Sequence, residues 1–204
     1  MLKHQLLKLG AKKACPERFR RGLTLVEILV AISISTLLIG ALYGIYLVSF
    51  KSYKHSVNQA ELNQNARIAM ERISRDLRQT NRLTTIIPPN DTDLLNPPPS
   101  DIMFQDGHTT NQIQYIRYFL DGTNLKRQVI HYWFSSDTSI WVEYNAIPPP
   151  GITLLNNIDE DRIKADKITS LKFYGENNLI NIGITASDGT STYTYKTIVL
   201  ARNL

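Results

Sequence analysis

The sequence contains very little cysteine: Cys15 is the single one among 204 residues. No disulfide bond within the chain is therefore predicted, and there is no cluster of cysteines to hold a metal ion. Glycine-rich phosphate loops, the Gly-x-Ser-x-Gly motif of hydrolases and the His-Glu-x-x-His motif of zinc peptidases are missing as well. The sequence thus predicts no enzyme, no catalytic residue, no metal site and no cofactor.

Acidic residues are scarce at the start of the chain, and the positive charge is concentrated there. Residues 1–22 hold seven lysines and arginines against one acidic residue, Glu17. From Thr84 to the end, 13 acidic residues outnumber 9 basic ones. Because nucleic-acid binding needs a basic surface, we expect no direct nucleic-acid partner for this acidic C-terminal part.

Charge is missing altogether from residues 28–50. As a helix, these 23 residues would span about 34 Å, enough to cross the hydrocarbon core of a bilayer. The segment is too long for the apolar core of a cleaved secretory signal. Since seven basic residues precede it and only Lys51 and Lys54 follow it closely, the positive-inside rule predicts a cytoplasmic N-terminus and a chain that lies outside after Phe50.

One acidic residue, Glu27, interrupts the start of the apolar region. An ionised carboxylate in hydrocarbon is costly and usually has a partner. Thr24 and Glu27 have the Thr-x-x-Glu spacing of a capping box, in which the two side chains satisfy free amide groups at a helix start. The alternative function for Glu27 is to pair with a positive charge on a neighbouring subunit.

Residues 21 to about 41 resemble the signal of type IV prepilins and pseudopilins, beginning with Arg-Gly-Leu-Thr-Leu-Val-Glu-Ile-Leu-Val-Ala. The resemblance implies that a prepilin peptidase cleaves after Gly22 on the cytoplasmic side and that the new terminus, Leu23, is N-methylated. It also implies that Glu27, the fifth mature residue, pairs with the terminal amine of the adjacent subunit. Thr24 belongs to the same predicted assembly site. The family more often has phenylalanine in place of Leu23. The basic, acid-poor start is also typical of a mitochondrial presequence, which the Thr-Leu-Val-Glu run disfavours.

Helical periodicity continues beyond the apolar segment, since residues 51–87 contain neither glycine nor proline. An arc of about 100° is apolar and consists of Leu62, Ala66, Ala69, Met70, Ile73 and Leu77. The opposite side carries Arg67, Glu71, Arg75, Arg78 and Arg82. Glu71–Arg75 and Arg72–Asp76 have the i,i+4 spacing, so a solvated, partly paired face is predicted. A nucleic-acid stripe is the alternative, but it lacks interleaved aromatic residues.

The fold class predicted is α+β, with a long N-terminal helix packed on a mainly antiparallel β-sheet head. The helix should run from about Thr24 to about Leu83, its first half in the membrane and its amphipathic second half on the head. Prolines at 88–89 and 97–99 end it. Strands are predicted at residues 112–120, 125–134, 139–144, 168–174, 179–186 and 191–201, with turns at 121–124 and 187–190. The domains are then a leader (1–22), a transmembrane and filament-core helix (23–50), its amphipathic continuation (51–87) and the head (88–204).

Other candidate site residues in the chain have an ordinary structural interpretation. Surface or loop positions are predicted for the histidines, His4, His55, His108 and His131. Oxygen ligands for calcium are offered by Asp159, Glu160, Asp161 and Asp166, but the regular ligand loop is missing and a solvated acidic turn is predicted. An adhesive patch or a core is indicated by Tyr115, Tyr118, Tyr132, Trp133 and Trp141, whose alternating strand positions favour the core.

The wider sequence is similar to the larger minor subunits of the family, the W-type minor pilins and the J-type minor pseudopilins of type II secretion. The similarity rests on length, on Ile-Ser-Arg-Asp-Leu-Arg-Gln at 73–79 and on Val-Leu-Ala-Arg-Asn at 199–203. It implies a structural subunit in a bacterial inner membrane that assembles into, initiates or caps a type IV pilus or a pseudopilus. Its partners would be prepilin peptidase and other pilin or pseudopilin subunits. Two alternatives are a membrane-tethered binding module, such as a tip adhesin or a competence (DNA-uptake) pseudopilin, and an uncleaved single-span enzyme or sensor.

Overall fold

A computed structural model of the chain describes residues 22–108 and 112–202. The predicted leader up to residue 21, with Cys15 and His4, and the terminal Asn203 lie outside the described residues. The chain divides into two units, one ending at Lys51 and the other beginning at Ser52.

The first unit is one stretch of helix. Helix α1, Leu25–Arg78, begins here, and every residue from Gly22 to Lys51 is exposed. Its most apolar window of 18 residues has a mean hydropathy of 2.4, so α1 is long and apolar enough to cross a membrane. The hydroxyl of Ser33 is satisfied within the helix by donating to the Leu29 carbonyl at 2.8 Å. These features fit membrane anchoring.

In the second unit, α1 buries the predicted apolar stripe. Met70 is half-buried and packs against the core. The other five members of the stripe are fully buried: Leu62, Ala66, Ala69, Ile73 and Leu77. The five residues predicted on the opposite side are all exposed. The helix therefore packs on the sheets by the face that its periodicity predicts.

Sheet A has six antiparallel strands: β1 Arg82–Leu83, β2 Ile102–Gln105, β3 Gln114–Asp121, β4 Asn124–Phe134, β5 Asp137–Val142 and β6 Leu154–Ala165. The central strand is β4. Along one edge it pairs with β6 over residues 125–134. Its other edge is shared by β3, at residues 124–131, and β5, at residues 132–134.

Sheet B is a three-stranded antiparallel meander of β7 Ile168–Glu176, β8 Leu179–Ser187 and β9 Thr192–Leu200. One hydrophobic core joins both sheets to α1, with Phe104 and Tyr118 from sheet A and Phe173 and Ile182 from sheet B completely buried. The second unit is thus an α+β fold of one helix on two antiparallel sheets, as predicted.

Both predicted turns close hairpins. The β3–β4 turn places Asp121 opposite Asn124, and Gly122 between them has a φ of 62°. This left-handed conformation suits glycine and is typical of tight hairpins. In the β8–β9 turn, the carboxylate of Asp188 accepts hydrogen bonds from the amides of Thr190 and Ser191 at 2.9 and 2.7 Å.

Helix α1 ends at Arg78, before the predicted end near Leu83 and before the predicted boundary at residue 87. The hydroxyl of Thr80 donates to the Gln105 carbonyl at 2.9 Å, and the residues that follow pair with β2 as strand β1. The residues after Arg78 have a composition that a helix would tolerate, but pairing with β2 makes them a strand instead.

The acidic turn predicted at residues 159–161 is wrong. These residues lie inside β6, where Glu160 is opposite Val129 and Asp161 is opposite Gln128. The side chains of β6 are mostly exposed, so this edge strand lacks the apolar alternation by which a strand is predicted. Strands β1 and β2 were not predicted either.

Candidate assembly site

Gly22 and Leu23 precede the helix in non-helical backbone. The Leu23 side chain is 73% exposed, and no atom lies within 4 Å of the position that a Cβ on Gly22 would occupy. The peptide bond between the two residues is therefore open to an enzyme within the described part of the chain. Cleavage here stays a prediction.

Thr24 and Glu27 form a complete capping box at the start of α1. The Glu27 amide donates to the Thr24 hydroxyl oxygen at 3.2 Å. In return, the Thr24 amide and hydroxyl donate to Glu27 Oε2 at 3.1 and 3.2 Å. The capping box predicted from the Thr-x-x-Glu spacing is therefore present within the single chain, without a neighbouring subunit.

The carboxylate of Glu27 keeps capacity for a further partner. Both hydrogen bonds reach Oε2, and Oε1 accepts none from residues 22–108 or 112–202. Free amide groups and the positive end of the helix dipole lie in this first turn. The site therefore presents a negative charge with one free oxygen, one turn from the predicted cleavage point.

The helix surface around Glu27 is apolar and contains small side chains. A shallow groove of about 290 Å³ is lined by Leu23, Glu27, Ile28, Ala31, Ile32, Ser35 and Thr36, of which Glu27 alone is charged. Small residues let a second helix approach closely in a lipid or filament core. The arrangement suits helix–helix packing around a single charge.

The aromatic candidates of the head separate into two groups. Tyr115 and Tyr118 belong to the interior, as predicted, although they are three residues apart and lie on opposite faces of β3. Trp133 and Trp141 lie opposite each other in β4 and β5 and are half-buried, and the His131 ring stacks on Trp141 at 4.2 Å between centroids.

His131 is neither a loop residue nor a fully exposed one. It belongs to β4, and its Nδ1 lies 2.5 Å from the carboxylate of Asp159. His55, by contrast, is exposed on α1, and His108 lies in a loop, as predicted. Among the described residues, no group of three or more His, Cys, Asp or Glu side chains is placed to hold a metal ion.

A buried charge cluster between α1 and sheet A was not predicted. Asp76, 3% exposed, accepts hydrogen bonds from the Tyr118 hydroxyl at 2.8 Å and from Arg127 Nε at 2.9 Å. Arg127 also donates to Glu160 at 2.8 Å. Burial raises the pKa of Tyr118, and the adjacent Asp76 charge raises it further.

The predicted i,i+4 contact of Asp76 with Arg72 is present, but at 3.8 Å it is the longer of the two arginine contacts of Asp76. Burial alone would lower the pKa of Arg127, but the hydrogen bond to Asp76 and the charges of Asp76 and Glu160 together outweigh burial, and the pKa is raised. On the helix Asp76 lies at the edge of the apolar arc, next to Ile73, but the sequence around it contains no signal for its partner Arg127.

Comparison with known families identifies the prokaryotic N-terminal methylation motif at residues 18–43. The match covers the end of the basic segment, the capping box and most of the apolar helix. It supports a type IV pilin-like prepilin signal, whereas the head lies outside it. No curated protein matches the chain.

Proposed function

We propose that the chain is a minor pilin or pseudopilin, a structural subunit that assembles into, initiates or caps a type IV pilus or a type II secretion pseudopilus. One observation carries the proposal: a Gly–Leu bond, a capping box with Glu27 and a long apolar helix follow one another inside a methylation motif. A plain membrane anchor needs neither the glycine nor the carboxylate.

Processing comes first in the proposed sequence of events. Prepilin peptidase cleaves between Gly22 and Leu23 at the cytoplasmic face of a bacterial inner membrane, and the amine of Leu23 is methylated. Residues 23–50 then hold the subunit in the bilayer with the head outside, in the orientation that the basic leader favours.

Assembly follows when Glu27 gains a second partner. The terminal amine of Leu23 on a neighbouring subunit supplies a positive charge for the free oxygen of the carboxylate. Thr24 acts as a positioning residue, because its hydrogen bonds fix the direction of the Glu27 side chain. An unpartnered carboxylate in the apolar filament core is penalised by several kcal/mol, so docking in register is favoured over misregistered docking.

The remaining segments have separate roles in this proposal. Residues 23–50 pack in the filament core, and the buried stripe of α1 fixes the head to the end of the helix. The head, residues 88–204, carries the surface that contacts other pilin or pseudopilin subunits, in the manner of a W-type or J-type minor subunit.

Substitution of Glu27 tests the proposal. In cells that contain the complete assembly machinery, we expect Glu27→Ala to be recovered in the inner membrane but to be lost from sheared filaments and from complexes with other subunits. Fractionation followed by quantitative immunoblotting measures both pools.

Thr24→Ala is the matched control, because it removes the capping hydroxyl but keeps both the carboxylate and the backbone amide of residue 24 that donates to it. Loss of the cap costs about 1 kcal/mol, which a helix of 54 residues can absorb, so most assembly should remain. Equal amounts of Glu27→Ala and unsubstituted subunit in filaments would contradict the pairing. Full assembly of Glu27→Gln, which keeps an acceptor for the capping box but removes the charge, would reduce Glu27 to a capping residue.

A further inference from the structure

A groove lined by arginines runs between α1 and β9 in the second unit. It consists of two adjoining cavities of about 650 and 470 Å³ that share Arg75 and Arg78. The first extends to Arg67 on the helix, and the second extends to Arg202 after β9. We call these four arginines and the channel between them the arginine groove.

The four arginines differ from the other arginines of the described residues in having no acidic partner. Ion pairs within 4.0 Å are made by Arg72, Arg82, Arg117, Arg127 and Arg162. In residues 22–108 and 112–202, the unpaired guanidinium groups are those of the groove, and each of these four residues is exposed. The groove is therefore a concentrated positive charge, with Glu71 as the single acidic residue of its lining.

The wall opposite the helix belongs to a strand with a free edge. Strand β9 pairs with β8 from residue 192 to residue 200 without a bulge, and no described strand pairs with its other edge. Edge strands are usually protected by bulges, prolines or several charges. Strand β9 has Lys196 as its single charged residue and exposes Ile198 and Leu200 at 62% and 53%. The edge of β6, in contrast, is interrupted by two irregularities and carries five charged residues.

The length of the groove suits an extended peptide. From Arg67 to Arg78 the helix rises about 17 Å, the length of about five residues of extended chain. Arg67, Arg75 and Arg78 lie along one face of α1 at i, i+8 and i+11. Carboxylates on alternate residues of a strand beside β9 would all point to one side, where guanidinium groups can bind them in a bidentate manner.

We propose that the arginine groove binds an acidic polypeptide segment in extended conformation, which adds as a strand to the free edge of β9. Strand addition provides main-chain hydrogen bonds, and the arginines select acidic side chains. Nucleic acid fits the groove less well, because its backbone cannot pair with a strand edge. In addition, Tyr195 is the single aromatic residue of the groove lining, and it is half-buried with its hydroxyl bound to Asn63, so the groove lacks the row of stacking aromatic rings typical of single-strand binding.

This inference goes beyond the proposed function, since it needs neither cleavage nor filament assembly. The test uses the full chain in zwitterionic nanodiscs and a fluorescent peptide that alternates threonine and glutamate, with anisotropy as the signal. Three further probes are a threonine–glutamine peptide, a threonine–glutamate peptide N-methylated at alternate residues, and single-stranded oligothymidylate.

We expect saturable binding of the acidic peptide, with a Kd raised at least about tenfold by the pair of changes Arg75→Glu and Arg78→Glu. Both side chains are exposed, so the fold should be kept, and unchanged tryptophan fluorescence checks it. Arg162→Glu is the matched control: its side chain is 74% exposed on β6, and the substitution should leave the Kd unchanged.

Five results would overturn the proposal. Equal binding of the threonine–glutamine peptide would remove the role of charge, and equal binding of the N-methylated peptide would remove strand addition. An equal effect of Arg162→Glu would show that overall charge, not the groove, binds the peptide. Tighter, groove-dependent binding of oligothymidylate would assign the groove to nucleic acid. Absence of saturable binding of the acidic peptide would likewise overturn the proposal, and it would leave cleavage and Glu27-dependent assembly untouched.

Discussion

Removal of the Asp76 carboxylate should weaken the attachment of α1 to sheet A. Asp76→Ala leaves the completely buried hydroxyl of Tyr118 without its acceptor, a loss of about 1–3 kcal/mol. It also takes one of two carboxylates from Arg127, which keeps Glu160 at 2.8 Å. Breaking a buried ion pair usually costs about 3–5 kcal/mol, and the remaining partner places this variant near 3 kcal/mol.

The free energy of unfolding can be measured by urea titration of the full chain in a mild non-ionic detergent. Both tryptophans, Trp133 and Trp141, lie in the head, so their fluorescence reports on this part of the chain. Glu71→Ala is the control on the same helix, because Glu71 is exposed and its loss should change stability by less than about 0.5 kcal/mol.

A second substitution separates the two contributions of Asp76. Adding Tyr118→Phe to Asp76→Ala removes the orphaned hydroxyl and should restore about 1 kcal/mol. A stability of Asp76→Ala within about 0.5 kcal/mol of the unsubstituted chain would refute the assignment of a stabilising role to the cluster. No recovery in the double variant would refute the share assigned to the hydroxyl.

Two further predictions concern the head. Gly107→Ala should destabilise the chain by about 1–3 kcal/mol, because the new Cβ would lie 1.8 Å from the Gln79 carbonyl oxygen. Gly183→Ala is the tolerated control, because its Cβ would be 3.7 Å from the nearest atom. Equal melting temperatures of the two variants would contradict the clash. Burial would raise the pKa of Asp106, but hydrogen bonds from His108 and Gln114 outweigh burial and lower it below 3.8. The stabilisation by this carboxylate is therefore complete above pH 3.8 and is lost as the pH falls through the lower folded-state pKa. Asp106→Asn should flatten the acid limb of the curve of unfolding free energy against pH. An unchanged acid limb would contradict the stabilising role of the Asp106 carboxylate.

Periodicity predicted the features of the fold that depend on one segment at a time. The stripe from Leu62 to Leu77 has the helical repeat and is buried. The turn at Gly122 lies between two apolar strands, and its hairpin has the predicted position. In each case a local sequence pattern and the global fold favour the same structure.

The features that were missed depend on a distant partner. Strand β6 exposes most of its side chains and carries charges along its length, so only pairing with β4 makes it a strand. The end of α1 at Arg78 depends on β2, which the chain reaches more than twenty residues later. The burial of Asp76 depends on Arg127 in β4. No local pattern contains these partners.

The assembly site shows the same limit in a different form. The Thr24–Glu27 spacing predicted a capping box, and its geometry is present. The amine that Glu27 is proposed to bind belongs to another subunit after cleavage, so one chain cannot display it.

Processing at Gly22–Leu23 is the step on which the account depends, and the intact mass of the membrane-bound chain measures it most directly. The full chain is expressed with and without a prepilin peptidase, beside a Gly22→Leu variant, and N-terminal fragments are sequenced by mass spectrometry. The account predicts a terminus at Leu23, carrying one methyl group, only when the peptidase is present and Gly22 is intact. An uncleaved chain in cells whose peptidase processes another prepilin would contradict the account and favour a membrane-tethered binding module.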